Sequence, residues 1–582
     1  MSKKPLYQNL QLPVEVRIKD LLYSMSLEQK IGQMIQAEWP NVSPEEMEEY
    51  GLGSLLNGGE VVPEENTPRG WRDTIARYQS ALSKTKLKIP LIFGIDAVHG
   101  HNNVYGATIF PHNIGLGAAN DEKGVFEMSQ VVAEEVLLTG INWNFAPCLA
   151  LAKDPRWGRT YESFSTDQKI VERLSTAFTR GHLERGMVTC AKHFIGDGNT
   201  QMGTGLNNLI DRGDAHLSED EIWDVLLPAY QIQIDLGVQT IMPSYSSLNG
   251  TKMHQYKYYL TDILKEKLYF KGFLITDYEA VREIPNANFE QQIWIAINAG
   301  IDMLMEPTKW KSAYYAIKRG VENGHISQAR IDDAVARVLR VKLESGLFEN
   351  PYLKQQSSIT LRSEKAKKVA LNLAEKSLVL LKNENQQIPI KAETKIFLCG
   401  AGSDDIGLQC GGWTISWNGQ EDGNEKITLG TTLLEGLRPY VESHNIKIIT
   451  DKHLADKADI IVMVLSETPY AEMQGDSQDI AITGKLGHPE NSTIIDFANT
   501  LEKPIITVLF AGRHLAGLEN YLTNWDSCIM AYLPGSEGGE AVANLLMGTK
   551  PFKGKLPMPW YKTVDDIGDS QPELLFDLGY GL

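Results

Sequence analysis

Eight short apolar runs punctuate residues 31 to 306, each ending in a polar or glycine-bearing loop. They are IGQMIQAE (31–38), GSLLNGG (53–59), PLIFGID (90–96), INWNFAP (141–147), MVTCAKHF (187–194), VQTIMPSY (238–245), GFLITDY (272–278) and GIDMLME (300–306). Most of the gaps after the second run show helical periodicity, with apolar residues returning every three or four positions, as in WRDTIARYQSALSKT, VFEMSQVVAEEVLLT, VERLSTAFTRGHLE and IWDVLLPAYQIQIDL. Strands that alternate with helices pair in parallel, and eight of them imply closure into a TIM-like (β/α)8 barrel over residues 1–346.

A polar, extended stretch follows, LFENPYLKQQSSITLRSE, and reads as the core of a linker over 347–368. Beyond it a second pattern begins: SLVLLKN, KIFLCGAG, IKIITDK, DIIVMVLSE, PIITVLFAG and CIMAYLPG, interleaved with TTLLEGLRPYVES, STIIDFANTLE and GGEAVANLLMG. Six strands with helices between them predict an open α/β sandwich with a largely parallel sheet over 369–582. Gly400 and Gly402 after a strand faintly resemble a dinucleotide loop, but the third glycine is misplaced, and a packed turn is expected instead.

In such a barrel the active site forms at the carboxyl ends of the strands. Those ends carry Asp96, Lys192 with His193, Tyr245, Asp277 with Tyr278, and Glu306. Charged residues that follow buried runs this often converge on one rim.

Composition narrows the function. A length of 582 residues suits two domains, and 42% apolar with 22% charged residues suits a globular protein. The net charge of −18 disfavours a nucleic-acid partner, because no phosphate counterions would be released. No apolar run approaches a membrane span or a leader, so no membrane partner and a cytoplasmic location are expected, or a periplasmic or secreted one if a leader has been removed. The five scattered cysteines read as buried free thiols, and His99 and His101 as hydrogen-bonding rather than metal-binding groups. No cofactor or metal is expected.

Four further clusters add chemistry: DPRWGRTYESF (154–164), AKHFIGDGNT (191–200), CGGWTISWNG (410–419) and SETPYAEMQGD (466–476). Asp96, Arg159, Lys192, His193 and Asp277 offer charges on one rim, while Trp413 and Trp417 offer flat apolar faces. That combination suits a sugar, whose hydroxyls take charged hydrogen bonds and whose C–H faces stack on rings.

The fragments GIDAVHG, DPRWGRTYES, KHFIGDG, SYSSLNG, LITDYEAV, CGGWTISW, PYAEMQGD, LPGSEGGEAV and GKLPMPW, in this order, resemble glycoside hydrolase family 3, particularly its two-domain β-glucan exohydrolases and β-glucosidases. The resemblance implies a retaining, exo-acting β-glucosidase with a carbohydrate substrate. Asp277 matches the family's nucleophile and Glu472 its acid/base from the second domain. Asp96, Arg159, Lys192, His193 and Tyr245 match the glucose pocket, Tyr278 stands where these enzymes usually have Trp, and Trp413 and Trp417 match the clamp on the next sugar. Glu467 competes with Glu472. Retention needs one ionised and one protonated carboxyl; Asp277 is expected to stay ionised among Arg159, Lys192 and His193, and Glu472 to stay protonated by partial desolvation.

Departures are visible too. Leu206 stands where relatives place a Glu, Arg282 is one residue off the arginine expected after the nucleophile, and Thr160 replaces the cysteine that would pair with Cys148 in some plant relatives. The rival readings are a β-xylosidase or a β-N-acetylhexosaminidase of the same family and, from another class, a noncatalytic sugar-binding protein. In KHFIGDG, Asp197 stands where the hexosaminidases carry their second histidine.

Overall fold

The computed structural model describes residues 5–353 and 359–582. Each of the eight apolar runs holds one strand: β1 (Ile35–Glu38), β2 (Ser54–Asn57), β3 (Ile92–Ile95), β4 (Trp143–Asn144), β5 (Val188–Phe194), β6 (Thr240–Pro243), β7 (Phe273–Leu274) and β8 (Leu304–Met305). They pair in parallel in the order β7-β6-β5-β4-β3-β2-β1-β8. A parallel bridge between Ile275 and Met303 joins the two ends and closes the barrel. The first run is shorter as a strand than expected, because Ser26 and Gln29 form a capping box that starts the helix Leu27–Gln33 through its first half.

Side chains fill the barrel, so it is a core and not a pore. Leu56, Ile92, Trp143, Phe145, Val188, Cys190, Met242, Phe273 and Met303 form one buried cluster inside the strands. A second cluster lies between the strands and the surrounding helices. One predicted helix departs from regularity: Glu221–Leu226 is wound as a π-helix and Leu227–Leu236 as an α-helix. Pro228 sits at the junction, where it cannot donate to the preceding turn.

The second domain contains β9 (Val379–Asn383), β10 (Lys395–Cys399), β11 (Lys447–Ile449), β12 (Ile460–Ser466), β13 (Ile505–Phe510) and β14 (Ser527–Met530). Their order is β9-β14-β13-β12-β10-β11, parallel throughout except for the antiparallel edge strand β9. Alternation along the strands serves two buried faces. Phe397, Ile461, Met463, Leu465 and Leu509 enter one cluster, while Ile396, Leu398, Val462, Val464 and Val508 enter the other. Gly400 makes the packed turn after β10 at φ +91, and a Cβ there would lie 2.1 Å from the Val464 carbonyl oxygen.

A helix, Glu364–Ser377, leads into β9. Its Leu373 packs in the barrel cluster and Ala374 in the sheet cluster, so it belongs to both domains. Its first five residues fall in the segment expected as linker, and residues 354–358 of that segment lie outside the described ones. The domains dock through apolar surface: Val98, Ile114, Trp157 and Tyr161 of the barrel loops share a buried cluster with Trp413, Tyr470 and Leu465. Cys148, Cys190, Cys399, Cys410 and Cys528 are all free and buried. No helix among the described residues is long and apolar enough to cross a membrane.

Candidate active site

Asp96 follows β3, Lys192 and His193 end β5, Tyr245 follows β6, and Asp277 and Tyr278 follow β7, so the barrel topology alone brings six side chains to one rim. The second domain lowers two loops onto that rim, one bearing Trp413 and Trp417 and the other bearing Glu472. All of these, with Arg159, line a single cavity of about 440 Å³. That volume suits a small ligand. Glu306 does not line the cavity; it is buried and takes the Arg282 guanidinium at 2.7 Å.

The loop of Glu472 is stapled to the barrel through backbone. Asp476 accepts from the Gly158 N–H at 2.8 Å, from Ile210 at 3.1 Å and from Asp211 at 2.7 Å. Arg513 donates to the carbonyls of Pro155 and Gly475, at 3.0 and 2.6 Å. Gly158 has no side chain because none fits: a Cβ there would lie 1.8 Å from the Glu472 carbonyl oxygen. Gly158→Ala must therefore push the Glu472 loop away, and about a hundredfold loss of kcat/KM is expected from a displacement near 1 Å. Steady-state kinetics beside an unchanged circular dichroism spectrum checks this.

Glu467, the rival carboxylate, is elsewhere. It accepts from Tyr470 Oη at 2.9 Å and from the Gly512 N–H at 2.8 Å, lies 3.1 Å from Arg513 Nε, and does not line the cavity.

The tryptophan loop rests on the barrel as well. The Trp413 indole N–H donates to Glu162 Oε1 at 3.3 Å, and Lys192 Nζ lies 5.9 Å from its ring centre. His99 Nε2 bonds the Trp413 carbonyl at 2.9 Å, so the first histidine of HGH supports the platform. His101 Nε2 bonds Thr139 Oγ1 at 2.8 Å. Tyr278 donates to Glu38 Oε2 at 3.2 Å.

The charges are distributed differently from the sequence expectation. Lys192 Nζ sits 2.6 Å from Asp96 Oδ1, and Arg159 spends Nε and Nη2 on Glu162 at 2.9 and 3.0 Å. Arg159 Nη2 also donates to His193 Nε2 at 3.2 Å; since a guanidinium only donates, the imidazole proton is on Nδ1, directed at Asp197 Oδ2 2.6 Å away. Burial and the neighbouring cations hold His193 well below its ordinary value, so it is neutral. It faces Asp277 Oδ2 at 3.7 Å, and that oxygen is buried with no hydrogen-bond partner among the described residues. Burial therefore pushes Asp277 up to about 7, against the pull of Arg159. Burial also raises Glu472, but Arg159 Nη1 and Arg212 Nη2, each 3.5 Å from a carboxylate oxygen, outweigh it and hold the group below its ordinary value. Burial thus raises Asp277 and the two guanidinium groups lower Glu472, the opposite directions from those expected of an ionised Asp277 and a protonated Glu472.

Several lining residues escaped sequence reasoning. Arg212 enters from a loop, Glu283 from the end of the short 3-10 helix Ala280–Glu283, Met242 from β6 and Met305 from β8, and Glu60 also lines the cavity. Leu206 is 38% exposed and does not reach the cavity; its loop contributes Arg212 instead. Arg282 and Glu279 line the cavity as an ion pair at 2.6 Å. For metal binding, Cys148, His193 and Asp197 are the grouping of three ligand atoms among the described residues, within 4.8 Å. Burial pushes the Cys148 thiol up to about 12, and Asp197 Oδ2 already accepts from His193 Nδ1 at 2.6 Å.

Comparison with known proteins agrees in both halves. Residues 26–341 match the Glycosyl hydrolase family 3 N terminal domain, and residues 378–582 match the Glycosyl hydrolase family 3 C-terminal domain. The chain belongs to glycosyl hydrolase family 3. Within it, a lysosomal beta glucosidase of Dictyostelium discoideum is 30% identical over 95% of this chain and 72% of its own length. Among solved structures, the exo-1,3/1,4-beta-glucanase of a Pseudoalteromonas species is 36% identical with a TM-score of 0.90, covering 98% of this chain and 73% of that one. The beta-glucosidase of Listeria innocua, solved with isofagomine, is 25% identical with a TM-score of 0.84, covering 97% of this chain and 82% of that one.

Proposed function

We propose that the protein is a retaining, exo-acting β-glucosidase that releases glucose from the non-reducing ends of β-glucosides or short β-gluco-oligosaccharides. The observation that carries the reading is that Asp277 and Glu472, from two different domains, line one cavity and are bridged by Arg159 and His193. Kinship with beta-glucosidases and an exo-beta-glucanase supports it.

In this reading Asp96, Lys192, Arg159, His193 and Tyr245 grip the terminal glucose, and Trp413, Trp417 and Tyr278 flank the leaving group. Asp277 attacks the anomeric carbon while Glu472 protonates the departing oxygen, giving a glycosyl-Asp277 ester. Glu472 then takes a proton from water, which attacks the same carbon and frees Asp277. Two inversions leave the β configuration unchanged.

A panel of 4-nitrophenyl β-glucoside, β-xyloside and N-acetyl-β-glucosaminide tests the substrate class. The glucoside is expected to give the highest kcat/KM; preference for either of the others overturns the glucosidase reading, and turnover of none favours a noncatalytic sugar binder.

The reaction requires the singly protonated pair with its proton on Glu472, whereas burial of Asp277 and the guanidinium groups at Glu472 favour it on Asp277. The active form is then the minority arrangement of that state, and the pair titrates together. Above about pH 7 the last proton leaves and no acid remains. The kcat/KM for cellobiose is expected to be flat just below this value and to fall about tenfold per pH unit above it. A plateau extending well into the alkaline range contradicts this.

A further inference from the structure

Two guanidinium groups grip Glu472 from the barrel: Arg159 at Oε1 and Arg212 at Oε2. We infer that Arg212 is a positioning residue that holds Glu472 across the domain boundary and biases which carboxylate of the pair carries the proton. The inference rests on the acid/base reading of Glu472.

Arg212 is itself built into the barrel. Its guanidinium carbon lies 3.7 Å from the Tyr245 ring centre, Nη1 donates to Glu283 Oε1 at 3.1 Å, and Nε is 3.7 Å from Asp211 Oδ2. Lys252 completes the frame, its Nζ donating to Glu283 Oε2 at 2.8 Å and to the carbonyls of Tyr245 and Arg212 at 3.0 and 3.1 Å. Loops following β5, β6 and β7 thus fix one cation before the second domain contributes anything. Arg212 and Glu472 both lie in the left-handed region, at φ +60 and +48. Side chains rarely adopt that conformation unless the surroundings impose it, and such residues cluster at functional sites.

Arg212 differs from Arg159 in what it reaches. Arg159 bears on both carboxylates, whereas the strongest influences on Asp277 are burial, Arg159, Glu472, the Tyr278 N–H and Lys192. Arg212 acts on Glu472, which also faces Lys192 and neutral His193. The nearby acids Asp211 and Asp277 oppose these cations. Removing Arg212 therefore weakens the hold on one member of the pair and shifts the proton toward it.

Arg212→Met is the test, with Arg212→Lys as the charge-retaining control. Removal of one close opposite charge is expected to move the acid limb of kcat/KM up by about one pH unit, because that limb marks the second protonation, which falls on Glu472. Loss of the hold on Glu472 is expected to outweigh the gain in its protonated form, so the rate falls about tenfold or more for cellobiose and much less for 2,4-dinitrophenyl β-glucoside, whose leaving group needs little acid. Arg212→Lys is expected to return the limb toward its original place. An unmoved limb in Arg212→Met, or equal losses on both substrates, overturns the inference. Arg212→Gln carries the same test if the methionine variant does not fold. Failure of the underlying assignment appears separately, as a Glu472→Gly variant that azide does not rescue.

Discussion

Asp277→Gly is expected to lower kcat on aryl β-glucosides by about 10⁴-fold or more, the scale on which loss of a covalent nucleophile acts. In the intact enzyme a 2-fluoro β-glucoside is expected to label the peptide containing Asp277; label on another residue overturns the assignment. Azide added to the variant stands in for the lost carboxylate on the same face of the sugar, so the product is expected to be α-glucosyl azide. Stability supplies an independent readout through Asp277→Asn. A carboxyl near 3.8 when unfolded and about 7 when folded binds its proton more tightly in the native state. Its contribution is then fully present below about 3.8 and is lost as pH rises through about 7. The asparagine variant is therefore expected to gain in Tm over the parent above pH 7 and to show little difference near pH 4, which separates loss of chemistry from loss of fold.

Glu472→Gly is expected to lower kcat/KM for cellobiose by about 10²- to 10⁴-fold, the usual worth of general acid–base catalysis, and to spare activated substrates in the first step. The glycosyl-enzyme then waits for a nucleophile that needs no base. Azide supplies one, and since it attacks opposite Asp277 the expected product is β-glucosyl azide, the other anomer from that of the Asp277 variant. Glu467→Gly is expected to behave otherwise. It strips Arg513, fully buried, of its carboxylate partner, so a destabilisation of about 3–5 kcal/mol without azide rescue is expected. Rescue of Glu467→Gly instead of Glu472→Gly reverses the two roles.

The fold was legible because both sheets are buried on their two faces, which leaves uninterrupted apolar runs that period and length disclose. All eight barrel runs and all six sandwich runs contain a strand. Discrepancies are local, as where a Ser26 cap extends a helix into the first run or Pro228 rewinds another. Lining residues at strand ends were legible for the same reason: topology assigns them to the rim. Arg212 carried no such mark. It lies within a turn-rich loop, and which residue of that loop points inward depends on a left-handed backbone and on Tyr245, Glu283 and Lys252 packed around it.

By itself, then, the sequence determined the two parallel sheets and the rim that holds Asp277, because apolar periodicity and strand–helix alternation are local properties of a chain. The tertiary structure alone decided that Glu472 and not Glu467 shares the cavity with Asp277, since that follows from Gly158 and Asp476 docking one domain on the other. It also decided the direction in which each carboxyl is shifted. Identical carboxylates differ there only by desolvation and by distance to charge: Asp277 is buried with an oxygen unpartnered among the described residues, while Glu472 lies between two guanidinium groups.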